Sequence, residues 1–146
     1  MRSQSCWLLG GHSGQLGVSL PRVVRISHVV VDHIVDDTLT APRQMILWGL
    51  VDGKDNFSLL RSLRAKLAGN TPDLSEKRTF PAISGGFPFI PLSYFEYSIH
   101  APNLTQTFPV FPFVSDSGMD FGIVVLEILG NWGGMSTCLY RFRVYG

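Results

Sequence analysis

A chain of 146 residues is one domain in size, and its formal net charge of +1, with Lys and Arg spread thinly, gives no electrostatic case for nucleic acid. Hydrophobic residues reach 45% and aromatics 12%, but charged residues only 16%, against about 25% in an average globular domain; this balance suits sheets better than helical bundles. No apolar run approaches the roughly 18 residues that cross a bilayer, and the opening MRSQSCWLLGGHSG has too short an apolar stretch for a secretory signal, so a lumenal domain of this kind would need targeting and anchoring segments upstream.

In chain order, CWLLGGHSGQLGVSL (6–20) ends in the alternating Leu16-Gly17-Val18-Ser19-Leu20, a strand after a Gly-rich turn. RVVRISHVVVDHIV (22–35) is rich in β-branched residues and reads as one long strand or two short ones. DDTLTAPRQ is a loop in which Pro42 holds Ala41 extended. QMILWGLV is a nearly continuous apolar strand, the pattern of a strand buried on both faces. DNFSLLRSLRAKLAGN sets Leu59, Leu60, Leu63 and Leu67 at helical spacing; a helix near 56–68 is expected, capped by Asp55 or Asn56 and closed at Gly69. TPDLSEKRTFPAISGGFPFIP reads as loop. YFEYSIHA and TQTFPVFPF follow as strands, the second placed at an edge by its prolines, then MDFGIVVLEIL and the terminal LYRFRVY. Many strands, one helix and no repeat predict an all-β, antiparallel β-sandwich of jelly-roll or galactose-binding-like form.

Few motifs in the chain carry chemistry. No G-x-S-x-G elbow, P-loop or H-E-x-x-H is present, so an enzyme is poorly motivated. Asp32, His33, Asp36 and Asp37 cluster in DHIVDD, where loop chemistry of Asp accounts for the acids without a metal. His12, His28 and His100 have no sequence partners and default to structural roles. Cys6 and Cys138 are too few for a zinc site; they are either free thiols or one bond that would close most of the chain. Two sequons, Asn56-Phe57-Ser58 and Asn103-Leu104-Thr105, are compatible with a lumenal domain.

The tail, NWG followed by TCLYRFRVYG, resembles the terminal signature of SUN domains. CWLLGGHSGQLGVSL, VVVDHI with APRQMILWGL, and VVLEILGNWG resemble further family blocks, in family order; the stretch 51–93 matches poorly. The resemblance implies a SUN-type β-sandwich over 1–146 that lacks the family's first strand and lid before Cys6-Trp7, as a fragment, a truncated gene model or a shortened domain would. It implies a non-enzymatic domain in the perinuclear space, bound to the C-terminal peptide of KASH proteins and bridging nucleoskeleton and cytoskeleton. It also implies a homotrimer over an upstream coiled coil, anchored in the inner nuclear membrane. By the same resemblance Cys6 and Cys138 form a disulfide that braces a cation loop, where a structural monovalent cation would be the one cofactor. The resemblance further implies that Tyr140 and Thr40 hydrogen-bond the peptide carboxylate, that His33 lines the pocket, and that Ser136, standing where the family often has an aromatic, offers the carboxylate a hydroxyl of shorter reach. The alternatives are a carbohydrate-binding jelly-roll module and an endoplasmic-reticulum SUN-like protein that assists membrane-protein folding.

Overall fold

The computed structural model describes residues 5–70 and 88–146, with the backbone alone for 67–70. Among the described residues nine strands and two helices succeed one another: β1 (Trp7–Leu9), β2 (Gly14–Val24), β3 (His28–Asp32), β4 (Gln44–Leu50), α1 (Lys54–Asn70), β5 (Phe89–Glu96), β6 (Thr105–Pro109), α2 (Pro112–Ser115), β7 (Phe121–Ile128), β8 (Thr137–Leu139) and β9 (Arg141–Tyr145). They form a four-stranded sheet in the order β2-β7-β4-β5, a three-stranded sheet β6-β3-β9 and the ribbon β1-β8, paired antiparallel throughout. The antiparallel sandwich expected from the strand pattern is what the chain forms.

The two-residue period of each strand decides where the core lies. Val29 and Val31 of β3 face Met45 and Leu47 of β4 and Val124 and Leu126 of β7, in one cluster that also takes Ile90 and Leu92 of β5. The alternate residues Ile46, Trp48 and Leu50 make a second cluster with Val125 and Phe89. Burial on both faces explains why β4 reads as unbroken apolar sequence. Within the second cluster the Trp48 indole donates to Glu127 Oε1 at 2.8 Å, so the buried carboxylate has a partner.

Where the elements depart from the sequence reading, the causes are local. β2 continues through Pro21 to Val24, and its register with β7 breaks between Ser19 and Val24. A proline cannot donate to a ladder, but β2 is an edge strand and tolerates the bulge. β5 begins at Phe89, inside the stretch expected to be loop; Pro91 sits where its pairing with β4 shifts, on the opposite edge. The rest of that loop expectation, residues 71–87, lies outside the described residues. The helix runs from Lys54 through Asn70, so Gly69 does not close it. Gly53, at φ +94°, makes the turn into α1. Asn56 does not cap that helix: it lies within the first turn, and its amide donates to the Asp52 carbonyl at 2.8 Å and to Asp120 Oδ1 at 2.8 Å. Leu60 and Leu63 seat α1 on the core as their spacing predicts. The short α2 was not expected; Pro112 at its start fits a first helical turn as well as it fits an edge strand. β6 does lie at an edge, beside β3.

The closing run, expected as one strand, is two. β8 pairs with β1, β9 pairs with β3, and Tyr140 is the single residue between them.

Candidate functional site

The chain from Leu129 to Cys138 is laced to residues 39–44 by backbone hydrogen bonds. Leu129 N donates to Gln44 O, Arg43 N to Gly130 O, Trp132 N to Ala41 O, Gly134 N to Leu39 O and Cys138 N to Thr40 O, at 2.8–3.2 Å. Asn131 organises the turn. Its Nδ2 donates to the carbonyls of Gly134 (2.9 Å) and Ser136 (3.0 Å) and to Thr137 Oγ1 (3.0 Å), while its Oδ1 accepts from Gly133 N at 3.0 Å. Gly134 has no room for a side chain: a Cβ would stand 2.9 Å from the Leu39 carbonyl oxygen and 3.0 Å from that of Ser136. Trp132 closes the other flank, its indole donating to Tyr97 O at 2.8 Å beneath the Arg43 guanidinium, 4.1 Å from the ring centroid.

This lacing sets Thr40 against Cys138, two residues from Tyr140. The Tyr140 ring meets His33 edge-on, with centroids 5.1 Å apart. His33 follows β3, is 5% exposed, and bonds through Nε2 to the Asp37 carbonyl. A carbonyl only accepts, so Nε2 carries a hydrogen there, and Nδ1 has no partner among the described residues. Thr40 Oγ1 donates to the same Asp37 carbonyl, at 3.3 Å. Because His33 already serves that carbonyl, the Thr40 hydroxyl can turn to another acceptor without stranding it. Tyr140 and Ser136 are half-buried, and their hydroxyls have no hydrogen-bond partner among the described residues. The four residues named from sequence therefore lie along one seam, between loop 33–40 and the tail. Beside them, Met135 is 90% exposed and Leu39 is also exposed, an apolar rim to the seam.

The structure joins Cys6 to Cys138, with Cα atoms 5.4 Å apart. Next to the bond, Thr137 is fully buried and donates through Oγ1 to the carbonyls of Gly11 (2.8 Å) and His12 (3.4 Å). Of the acids of DHIVDD, Asp32 pairs with Arg143 at 3.2 Å, and among the described residues no three His, Cys, Asp or Glu gather as a metal would require.

Sequence reasoning missed Tyr97 and Asn131. Tyr97 is buried on the far side of His33, ring centroids 6.1 Å apart, and its hydroxyl donates to the Leu104 carbonyl. Burial, and then the charge of Asp32, push its pKa above the ordinary 10.0. With His33, Val35 and Leu104 it lines a cavity of about 220 Å³ between loop 33–38 and the β5–β6 loop. Only the tertiary fold brings these loops together, so nothing in the local pattern pointed to Tyr97. Asn131 had a legible signal, an Asn opening a Gly-rich turn.

The fold and this seam define an antiparallel β-sandwich closed by its own disulfide-tied tail. Residues 89–146 match the family described as Sad1 / UNC-like C-terminal. The chain is 26% identical over 159 residues to Sun domain-containing protein 1 of Dictyostelium discoideum, an alignment that takes in 97% of this chain and 14% of that protein. A SusE-like protein of known structure superposes with a TM-score of 0.53 over 93% of this chain and 70% of its own, at 14% identity, a likeness of fold alone. Residues 89–146 carry the family match, and the chain as a whole is similar in sequence to a SUN domain-containing protein. That match begins at Phe89, the first residue of β5.

Proposed function

We propose that this domain binds the C-terminal peptide of a KASH protein in the perinuclear space, and so links nucleoskeleton to cytoskeleton without catalysing a reaction. The observation that carries the reading is the convergence of Thr40, His33 and Tyr140 on one seam, with hydroxyls able to donate and a ring that orients one of them. A terminal carboxylate is acceptor-only and needs donors where it is partly desolvated. Tyr140 donates one hydrogen bond and Thr40, rotated off the Asp37 carbonyl, a second; Ser136, with a shorter reach than an aromatic hydroxyl, adds a third at the rim. The peptide body runs extended, as in strand addition. Trimerisation over an upstream coiled coil, anchorage in the inner nuclear membrane and a monovalent cation beside the Cys6–Cys138 bond belong to the same proposal.

Calorimetric titration with a KASH-type C-terminal peptide tests it. Tyr140→Phe deletes one hydrogen bond to a charged group, about 1.5–3 kcal/mol, and weakens binding by about ten- to a hundredfold while the melting temperature stays within the experimental spread. Amidation of the peptide's C-terminus abolishes the difference. Equal affinity of wild type and Tyr140→Phe for the free-acid peptide overturns the assignment.

A further inference from the structure

The two N-x-[ST] sequons differ in what the fold does with their asparagines. Asn56 is 8% exposed, and its Nδ2 is held by Asp52 O at 2.8 Å, Asp120 O at 3.0 Å and Asp120 Oδ1 at 2.8 Å, while its Oδ1 accepts from Asp120 N at 3.3 Å. An N-linked sugar replaces one hydrogen of that nitrogen and needs open space beyond it, so a glycan at Asn56 is incompatible with the bonds that tie the first turn of α1 to Asp52 and Asp120. Asn103 is the opposite case. It lies exposed between the exposed Pro102 and Leu104, on the β5–β6 loop. The loop is held at its base: Gln106 Nε2 donates to Ser98 O at 2.7 Å and Gln106 Oε1 accepts from Ser98 N at 3.0 Å. Further bonds reach its crest, from Gln106 Nε2 to Asn103 O, from Tyr97 Oη to Leu104 O and from His33 N to Leu104 O. These contacts use the backbone of 103–104 and leave the Asn103 side chain without a partner among the described residues. Thr105, which completes the sequon, is exposed at the start of the edge strand β6.

We infer that Asn103 is an N-glycosylation site and that Asn56 is not. The modification deepens the reading above and rests on its lumenal location. The glycan stands on a braced crest where a large hydrophilic group displaces no packed atom.

The test expresses the full chain behind a cleavable secretory signal in eukaryotic cells. The secreted protein is treated with peptide-N-glycosidase F, and released sites are mapped by mass spectrometry as Asn-to-Asp conversion. One glycan per chain is expected, at Asn103. Asn103→Gln and Thr105→Ala each remove the mobility shift, and Ser58→Ala, which destroys the other sequon without touching Asn56, leaves it. A folded, secreted wild-type chain that is bare at Asn103, or carries sugar at Asn56, overturns the inference. Entry to the lumen is forced here, so the outcome is independent of where the native protein resides. A glycan in this assay on a protein found unmodified in its own cells would count against the lumenal reading and not against the site.

Discussion

Tyr97 shows how one side chain connects stability to the candidate site. Its ring supports His33 and its hydroxyl ties down the Leu104 carbonyl. Burial and the Asp32 carboxylate both oppose the phenolate, so the folded state holds the proton more tightly than the unfolded chain does. The consequence has a definite sign. Below pH 10 the phenol is neutral in both states and its contribution is intact. As pH rises past 10 the unfolded chain releases the proton first, and stability falls. Denaturant melts should therefore show a Tyr97-dependent loss only above about pH 10. Tyr97→Phe removes the bond to Leu104, at a cost of about 1 kcal/mol at pH 7, but falls less steeply in alkali than wild type. Parallel alkaline slopes for the two proteins would refute the account. No local pattern hinted at this residue's position, because its partners come from β3, the loop after it and the loop before β6.

At the scale of elements, the tail turn is held by a close backbone approach that leaves no space at Gly134. An added Cβ meets the Leu39 and Ser136 carbonyl oxygens, and backbone cannot step aside as a flexible side chain would. Gly134→Ala should cost about 1–3 kcal/mol, lower the melting temperature by about 3–10 °C, and weaken peptide binding by moving loop 33–40 away from Tyr140. Gly10→Ala, whose Cβ meets nothing within 4 Å, is the control and should melt like wild type. A Gly134→Ala protein that melts and binds normally would show that the seam does not depend on this approach. The same turn marks the limit of what patterning conveys. Apolar alternation made the strands legible, and the double burial of β4 was plain from an unbroken apolar run. It could not reveal that LYRFRVY breaks at Tyr140, because a strand that changes partners keeps its two-residue period on either side. Pro21, Pro91 and Pro112 misled in a similar way: a proline excludes a central ladder position but does not choose between an edge bulge, a loop and a first helical turn. The convergence of Thr40, His33 and Tyr140 was reached through family resemblance, since no spacing rule joins residues a hundred positions apart.

At the scale of the whole molecule, the Cys6–Cys138 bond fixes the route of a mechanical load. Tension applied at the N-terminus reaches Cys6, crosses the disulfide to Cys138, and arrives two residues later at Tyr140, where the proposed peptide is held. Strands β1 to β7 lie between the bonded cysteines in sequence and are left out of this covalent path. Without the bond the same tension must run through every strand from β1 to β8, and a sandwich pulled from its ends unfolds. Single-molecule pulling between the N-terminus and a tethered C-terminal peptide distinguishes the cases. With the disulfide intact, detachment should come without domain extension. In reducing buffer, or in the Cys6→Ser variant, unfolding should precede detachment and add roughly 45 nm of contour length, from 132 residues at about 3.5 Å each. Loss of the bond also removes about 4–5 kcal/mol in the chain-entropy account, so the variant unfolds at lower force as well as along a different path. Identical extension traces for oxidised and reduced protein would mean that load enters the sandwich by another route, and that the disulfide serves only to close the fold.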